Sequence, residues 1–369
     1  MPIRQDSWLT SLLAAGPSPP HLLAREVYLL RLLCLAARAQ VWYIVFSVVI
    51  HIFERTILSD GTLRCFFQAD DAGLHADVTE GIVSCLGKGP LAGVGVIMGA
   101  PHDARAVALL AARGDIALTA HLNLLEGFAV APPRRIPELV GKDGRFCHSL
   151  ASLTAGLYWP GRGKKALLRA VETEFRAQIE RFSSLTSGLP LRLDSHLHIH
   201  ALPPLRPMLR RLIQEYRPSY LRVPAELFHL PRVCAAEQAA GQARRALLAC
   251  WASPLRRLLA DEGIATSNFF VGAFASGALT LDKLRVSLQA VSQANANRGG
   301  GEALVEIMTH PGGIAPDAKV HADAAIRPGY RGFYTSRARA AERQLLTSPT
   351  LGGMLRLMNV TPYFPAALA

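Results

Sequence analysis

From Thr62 onward the chain repeats one pattern of apolar and polar positions. A short apolar run ends abruptly in polar residues, and a helix-like segment follows. LRCFFQ ends in Ala69-Asp70-Asp71, IALTA in His121-Leu122-Asn123, and LRL in Asp194-Ser195-His196. YLRV runs into Pro224-Ala225-Glu226, SNFFVGAF into Ala275-Ser276-Gly277, and ALVEIMT into His310-Pro311-Gly312. Helices are predicted over Lys165–Leu185, Leu205–Tyr216 and Thr280–Asn295. Alternating strands and helices imply a mostly parallel sheet. Polar residues gathered at the C-terminal ends of successive strands are the site arrangement of a (β/α) barrel. A doubly wound sheet also places sites at strand ends, but six contributing strands fit a closed or nearly closed barrel better. The expected fold class is α/β: a (β/α) barrel, distorted or incomplete, with an N-terminal helical extension.

Two segments interrupt the pattern. Residues 1–60 form their own zone, ahead of a main domain at 61–369, with GPSPP at 16–20 as a turn or linker. Tyr28–Phe53 is strongly apolar, broken by Arg31, Arg38 and His51. Its uninterrupted part, Val41–Ile50, is too short to span a bilayer. A packing helix, or membrane-surface contact through residues 28–53, is the expectation. No small-residue cleavage signature follows the apolar core, so a secretory signal is not expected. The second segment, Phe228–Leu259, is rich in Ala, Leu and Arg and reads as a helical insertion near 228–262 over the mouth of the site. Tyr334–Met358 reads as a final helix pair around Ser348-Pro349.

Composition narrows the class. Of 369 residues, 50% are hydrophobic and 18% charged, enough to bury a sizeable core. The net charge of +12 raises the question of an anionic partner. The excess is spread as single arginines, without a long basic run or aromatic–basic interleaving, so no nucleic-acid partner is expected. Six cysteines without a CxxC pair argue against a zinc ribbon or a dense disulfide framework. Reduced, mostly buried thiols in a cytoplasmic protein, peripheral to the inner membrane if the extension touches it, are the default.

The chemistry centres on Leu191–His200, LRLDSHLHIH. On an extended backbone His196, His198 and His200 would share one side. Neutral imidazole is the commonest protein metal ligand, so the cluster is a metal-site candidate. Asp70 and Asp71 are adjacent, and neighbours on a strand point apart. They need different jobs or a sharp turn, which Gly73 permits. One carboxylate can hold a metal while the other takes a proton from water; a helix N-cap is the plainer alternative. Asp71, His121 and His196 would make a two-His, one-carboxylate set that leaves coordination positions open. His310, ahead of a Pro-Gly turn, is placed to act as an acid or to orient a carboxylate, or to bond the backbone as a buried strand-end histidine.

ADDAGL at 69–74, AHLNLLEG at 120–127, DSHLHIH at 194–200, RVPAE at 222–226 and EIMTHPGG at 306–313 resemble, in order and spacing, the YdjC-like carbohydrate deacetylase family. That family includes chitooligosaccharide deacetylases and a hopanoid-biosynthesis branch. The resemblance covers about residues 63–358. It implies a (β/α) barrel related to polysaccharide deacetylases and a divalent ion, magnesium or zinc. By motif position Asp71, His121 and His196 would hold the ion, Asp70 would be the general base, and His310 an acid or a base-orienting group. Arg222 and Glu226 would line or brace the site. His198, His200 and Asp194 would touch substrate or support the ligands. The implied substrate is an N-acetylated sugar or oligosaccharide, and a homodimer is left open. Two positions depart from the family pattern: Ala72 replaces an aromatic, which is expected to enlarge the pocket, and Ala120 replaces a glycine. The rival readings are a metal-dependent phosphoesterase or amidohydrolase barrel, and a catalytically silent sugar-binding accessory protein. In the rival barrels HxH usually sits on the first strand, whereas here it follows DD and His121.

Overall fold

The computed structural model describes residues 62–228, 235–314 and 325–364. The apolar stretch 28–53, and with it the packing and membrane-surface expectations, lies outside the described residues. Among the described residues no helix is long and apolar enough to cross a membrane.

The first half runs β1 (Leu63–Ala72), α1 (Ala76–Val83), β2 (Leu91–Val96), α2 (Asp103–Ala111), β3 (Ala117–Leu122), α3 (Leu150–Tyr158), α4 (Arg162–Thr186) and β4 (Arg192–Ser195). The second half runs α5 (Arg206–Tyr216), β5 (Tyr220–Leu221), α6 (Ala235–Asp261), β6 (Phe269–Val271), α7 (Leu281–Ala296), β7 (Ala303–Thr309), α8 (Arg331–Tyr334), α9 (Arg337–Leu346), α10 (Pro349–Leu357) and β8 (Val360–Pro362). The sheet is parallel throughout, in the order β5-β4-β3-β2-β1-β7-β6. Among the described residues its edges meet only at two isolated bridges, Tyr220↔Ala265 and Glu226↔Phe270. β8 pairs with Leu63–Cys65 of β1, ahead of Phe67, where pairing with β2 begins. The result is a curled, incomplete barrel, as the strand-end pattern leads one to expect.

Burial explains the pattern. β1 is buried at nine of its ten positions and β2 and β3 along their whole length. Both faces of a parallel strand are covered, so its sequence is a near-continuous apolar run. α4 instead places Leu167, Val171, Phe175, Ile179 and Phe182 on one buried stripe. α9 and α10 form the expected final helix pair; Ser348 caps α10 by accepting from the Thr350 N–H, with Pro349 in the first turn. α6 is the expected insertion, and it does line the mouth of the site.

The alternation of apolar runs misses two strands. β8 is a three-residue add-on. β2 reads LAGVGV, and its glycines dilute the apolar signal. They are there for space: a Cβ on Gly93 would lie 2.2 Å from Phe66 Cζ, and one on Gly95 would lie 3.1 Å from His121 Nδ1 and 3.2 Å from Asp70 Oδ1.

The cysteines are half as expected. Cys65 and Cys85 are buried and Cys147 and Cys250 exposed, all four unbridged.

Candidate active site

The strand ends gather Asp70, Asp71, His121, Asp194, His196 and His310 at the C-terminal end of the sheet, all buried. Asp70 and Asp71 reach the same place because β1 bulges. Ala69 pairs with Val94 and Ala72 with Val96, so three residues of β1 advance against two of β2. Asp71 takes up the excess with a φ of 75°, a left-handed conformation that Asp tolerates better than most residues. Gly73 is left-handed too, with a φ of 86°, so the turn that it permits begins at Asp71.

The expectation that His196, His198 and His200 share one face is not met. The strand ends at Ser195, and His196–Ala201 winds into a tight 3₁₀-type segment with Leu197 and His198 at φ of 50° and 55°. The three rings therefore diverge. His196 meets Asp71, with Nδ1 3.1 Å from Oδ1. His198 packs edge-on against Phe270 in the cavity wall. His200 turns behind the site, where Nε2 lies 2.9 Å from the Arg222 carbonyl and Nδ1 2.5 Å from the Ser195 hydroxyl.

A buried ion-pair network fixes the carboxylates. Arg222 grips Asp70 in a fork, Nη1 to Oδ2 at 2.6 Å and Nη2 to Oδ1 at 3.0 Å. The same guanidinium reaches Asp194 at 3.0 Å and donates through Nε to Glu306 at 2.6 Å. Gln68 donates to Asp70 and Asp194, and Tyr220 donates to Glu306. Arg339, from α9, donates to Asp71 Oδ2 through both terminal nitrogens at 3.3 Å and through Nε to the Gly312 carbonyl. Glu126 lies with Oε2 3.0 Å from His196 Nε2, off the direction of a hydrogen bond, and accepts from Tyr334. Gln68, Glu126, Glu306 and Arg339 are absent from the site read off the sequence. Glu126 and Glu306 do lie inside quoted motifs, whereas Arg339 has no local signal.

The pKa shifts follow from this network. Burial opposes the charge on Asp70, but Arg222 and His121 outweigh it and hold the carboxyl well below its usual range. Burial opposes the charge on Asp71 too, and His196 and Arg339 outweigh it. Burial also works against protonated His196, yet Asp71 and Glu126 raise it to about 10. His121 is raised against burial by Asp194 and Asp70. His310 goes the other way, lowered to about 4 by burial and by Arg339 against the pull of Asp71. His198 is pushed well below its usual value by burial and Arg222.

Two overlapping groups have donor atoms within 4.8 Å of one another: Asp71, His121 and His196, and Asp70, His121 and Asp194. The first fits a divalent ion better. Asp70 and Asp194 are already engaged by Arg222 and Gln68. Asp194 also takes His121 Nδ1 at 2.7 Å, which leaves the Nε2 lone pair facing Asp71 at 3.8 Å. Five buried carboxylates share two buried guanidiniums here, and the raised His121 and His196 show a site short of positive charge. A divalent cation meets that demand.

These groups floor a cavity of about 360 Å³. Asp70, His121, His196, His198 and His310 face it, and Leu248, Trp251, Tyr330 and Phe333 form its walls. Asp194, His200, Arg222 and Glu226 stand behind it. Glu226 accepts from the backbone N–H groups of Gly272 and Phe274 and so braces the loop after β6. Ala72 is sealed in the core and does not itself border the cavity. The aromatic walls come from α6 and the C-terminal segments instead.

A curled parallel sheet with a two-His, one-Asp cluster at its C-terminal end defines the class. The family model described as YdjC-like protein matches residues 64–356, and the chain belongs to that family. It is 33% identical to a carbohydrate deacetylase of Danio rerio over 164 residues, 44% of this chain and 50% of that one. It is 28% identical to a carbohydrate deacetylase of Homo sapiens over 313 residues, 81% of this chain and 88% of that one. The chain thus spans about half the length of the Danio rerio relative and most of the human one. A solved structure from Enterococcus faecalis, named for cellobiose-phosphate cleavage, shares the fold with a TM-score of 0.59 at 18% identity, over 84% of this chain and 99% of that one.

Proposed function

We propose that the protein hydrolyses the acetamide of an N-acetylated carbohydrate, releasing acetate and the free amine. The Asp71–His121–His196 cluster beside the Asp70–Arg222 fork, both opening on one cavity, carries the reading. The named activity of the carbohydrate deacetylase relatives supports it.

A divalent ion held by Asp71, His121 and His196 would polarise the acetyl carbonyl and lower the pKa of water. Two imidazoles and one carboxylate suit zinc or another first-row ion better than magnesium, which favours all-oxygen shells. Asp70 takes the proton of the attacking water. The Arg222 fork fixes the direction of its carboxylate and makes it a weak base, so the proton is passed on rather than kept. The departing nitrogen must gain a proton as the C–N bond breaks. His310 Nδ1 is buried, has no hydrogen-bond partner and borders the cavity. As a neutral imidazole it is suited to carry that proton. Glu342 fixes its backbone, accepting from the His310 N–H at 2.6 Å. Trp251, Tyr330 and Phe333 offer flat faces to a sugar ring.

The test is elemental analysis combined with acetate release from N-acetylated oligosaccharides. The wild-type chain should carry one divalent ion and release acetate. His196→Ala should lose the ion and at least about 100-fold in rate, since even outer partners of a metal ligand cost 10–100-fold. Stoichiometric metal retained in His196→Ala would sink the assignment.

A further inference from the structure

A larger cavity, about 450 Å³, lies at the opposite end of the sheet. Its walls come from the N-terminal halves of the strands: Phe66 of β1, Leu118 of β3, Arg192 of β4, Tyr220 of β5 and Leu304 of β7. The lining is mostly apolar, and one feature does not belong in an apolar wall. The Arg192 guanidinium sits in the angle between two rings set edge to face at 70°, 4.1 Å from the centroid of Tyr220 and 4.9 Å from that of Phe66. Its Nε is out of solvent with no hydrogen-bond partner. Among the described residues no carboxylate pairs with it, whereas buried Arg222 and Arg339 each hold at least one. Burial accordingly pulls its pKa below the usual guanidinium value, with only a weak counter-pull from Tyr220 and Glu306. In the same wall Thr266 Oγ1 is also buried without a partner. The neighbouring cation, Arg113, is already engaged by Asp115 at 2.8 Å.

A half-buried cation whose Nε is out of solvent and unpaired among the described residues, beside a roomy apolar cleft, leaves a donor for a ligand. We propose that this cleft binds a small organic carboxylate. Arg192 and Thr266 receive the charged group, and Phe66, Leu118 and Leu304 receive the apolar body. The planar guanidinium fork matches a carboxylate. The two rings, at 70° to each other, bound the guanidinium on two sides, so little side-chain freedom is lost on binding. The site is distinct from the catalytic end and does not depend on the deacetylase reading.

The test is calorimetric titration of the full chain with octanoate, which has charge and body, and octanamide, which has the body alone. Octanoate should bind saturably, and octanamide at least about tenfold more weakly. Arg192→Gln should weaken octanoate by about 10- to 100-fold, the range for losing a charge-assisted hydrogen bond. Gly114 borders the cleft, and its Cβ would meet nothing within 4 Å. Gly114→Phe should therefore block octanoate without straining the fold, and it decides the matter should Arg192→Gln fold poorly. Absent octanoate binding, octanamide binding as tight as octanoate, or octanoate affinity unchanged in either variant overturns the proposal.

Discussion

The two ends of the sheet treat their arginines in opposite ways. At the C-terminal end Arg222 sits among Asp70, Asp194 and Glu306, and its donors are taken up by carboxylates. At the N-terminal end Arg192, on a neighbouring strand, has two rings against it and no paired carboxylate among the described residues. Tyr220 touches both arrangements: its ring carries Arg192, and its hydroxyl donates to Glu306 at 2.6 Å. A satisfied network fixes groups in place, which chemistry requires. An unsatisfied one leaves capacity for a ligand. The contrast between the ends lies in their arginines, one fixed by carboxylates and the other with its Nε unpaired among the described residues.

The largest expected effect lies within the organised end and separates its two adjacent aspartates. Asp70→Asn should keep the ion and lose about 10²–10⁴ in turnover, the usual worth of a general base. Asp71→Asn should weaken metal binding, with partial rescue by excess metal. Metal titration and acetate release on both proteins check this. Metal lost from Asp70→Asn but kept by Asp71→Asn would reverse the roles.

Next comes a stability contrast between the two arginines. Arg222→Ala leaves three carboxylates buried without their cation and should cost about 3–5 kcal/mol in urea unfolding. Arg192→Gln removes a cation that pairs with no carboxylate among the described residues. The lost stacking and the relieved desolvation oppose each other, so the change should stay within about 1 kcal/mol. Equal losses for the two variants would mean that Arg192 is as fully compensated as Arg222.

The organised end also carries a pH signature. Glu226 and Glu342 each clamp two backbone N–H groups there, and burial raises both to about 7 despite those bonds. A raised carboxyl favours the neutral folded form. Its stabilisation is complete below the unfolded value near 4.5 and is lost as pH rises through about 7. Each group contributes on the order of 2–3 kcal/mol to that decline. Asp70 and Asp71, held low, act in another window: their contribution is present above the unfolded value near 3.8 and lost only as pH falls. His198 and His310, held neutral by burial, add stability as pH rises towards 6.5 and so oppose this decline; the read-out is therefore the difference, and Glu226→Gln should lose less stability than the wild type between pH 5 and 7. An unchanged slope in that variant removes Glu226 from the account.

Much of this organisation is legible in the sequence because strand-end chemistry is local. Six of the sheet's strands, the site residues that terminate them, the insertion helix and the final helix pair all follow from abrupt apolar-to-polar steps. What the sequence hides depends on three-dimensional placement. The His196–His198–His200 spacing signals a shared face only while the strand lasts, and the backbone turns at Leu197. Arg339 reaches Asp71 from a helix 268 positions further along the chain, with no motif to announce it. β2 is obscured by its glycines, whose reason lies in other strands' side chains.

Those glycines give the last and smallest test. Gly93 and Gly95 are two residues apart on β2, facing the same side of the strand, yet each serves a different end of the sheet. A Cβ on Gly93 would lie 2.2 Å from Cζ of Phe66, a ring that cannot swing aside as a flexible side chain would. Gly93→Ala should therefore cost about 1–3 kcal/mol as overpacking and disturb the wall that supports Arg192. A Cβ on Gly95 would lie 3.1 Å from His121 Nδ1 and 3.2 Å from Asp70 Oδ1, so these groups need yield only a few tenths of an ångström. Such a shift hardly changes stability. It does move a proposed metal ligand and the proposed base together, and a 1 Å misplacement can cost about 100-fold. Gly95→Ala should accordingly lose about tenfold in turnover with its unfolding midpoint nearly intact, while Gly93→Ala loses stability and keeps its turnover within about twofold. Acetate release and urea unfolding on the two proteins read both quantities. If Gly93→Ala lowers turnover as much as Gly95→Ala does, then strain at the receptive end reaches the catalytic groups, and the two ends are one mechanical unit rather than two.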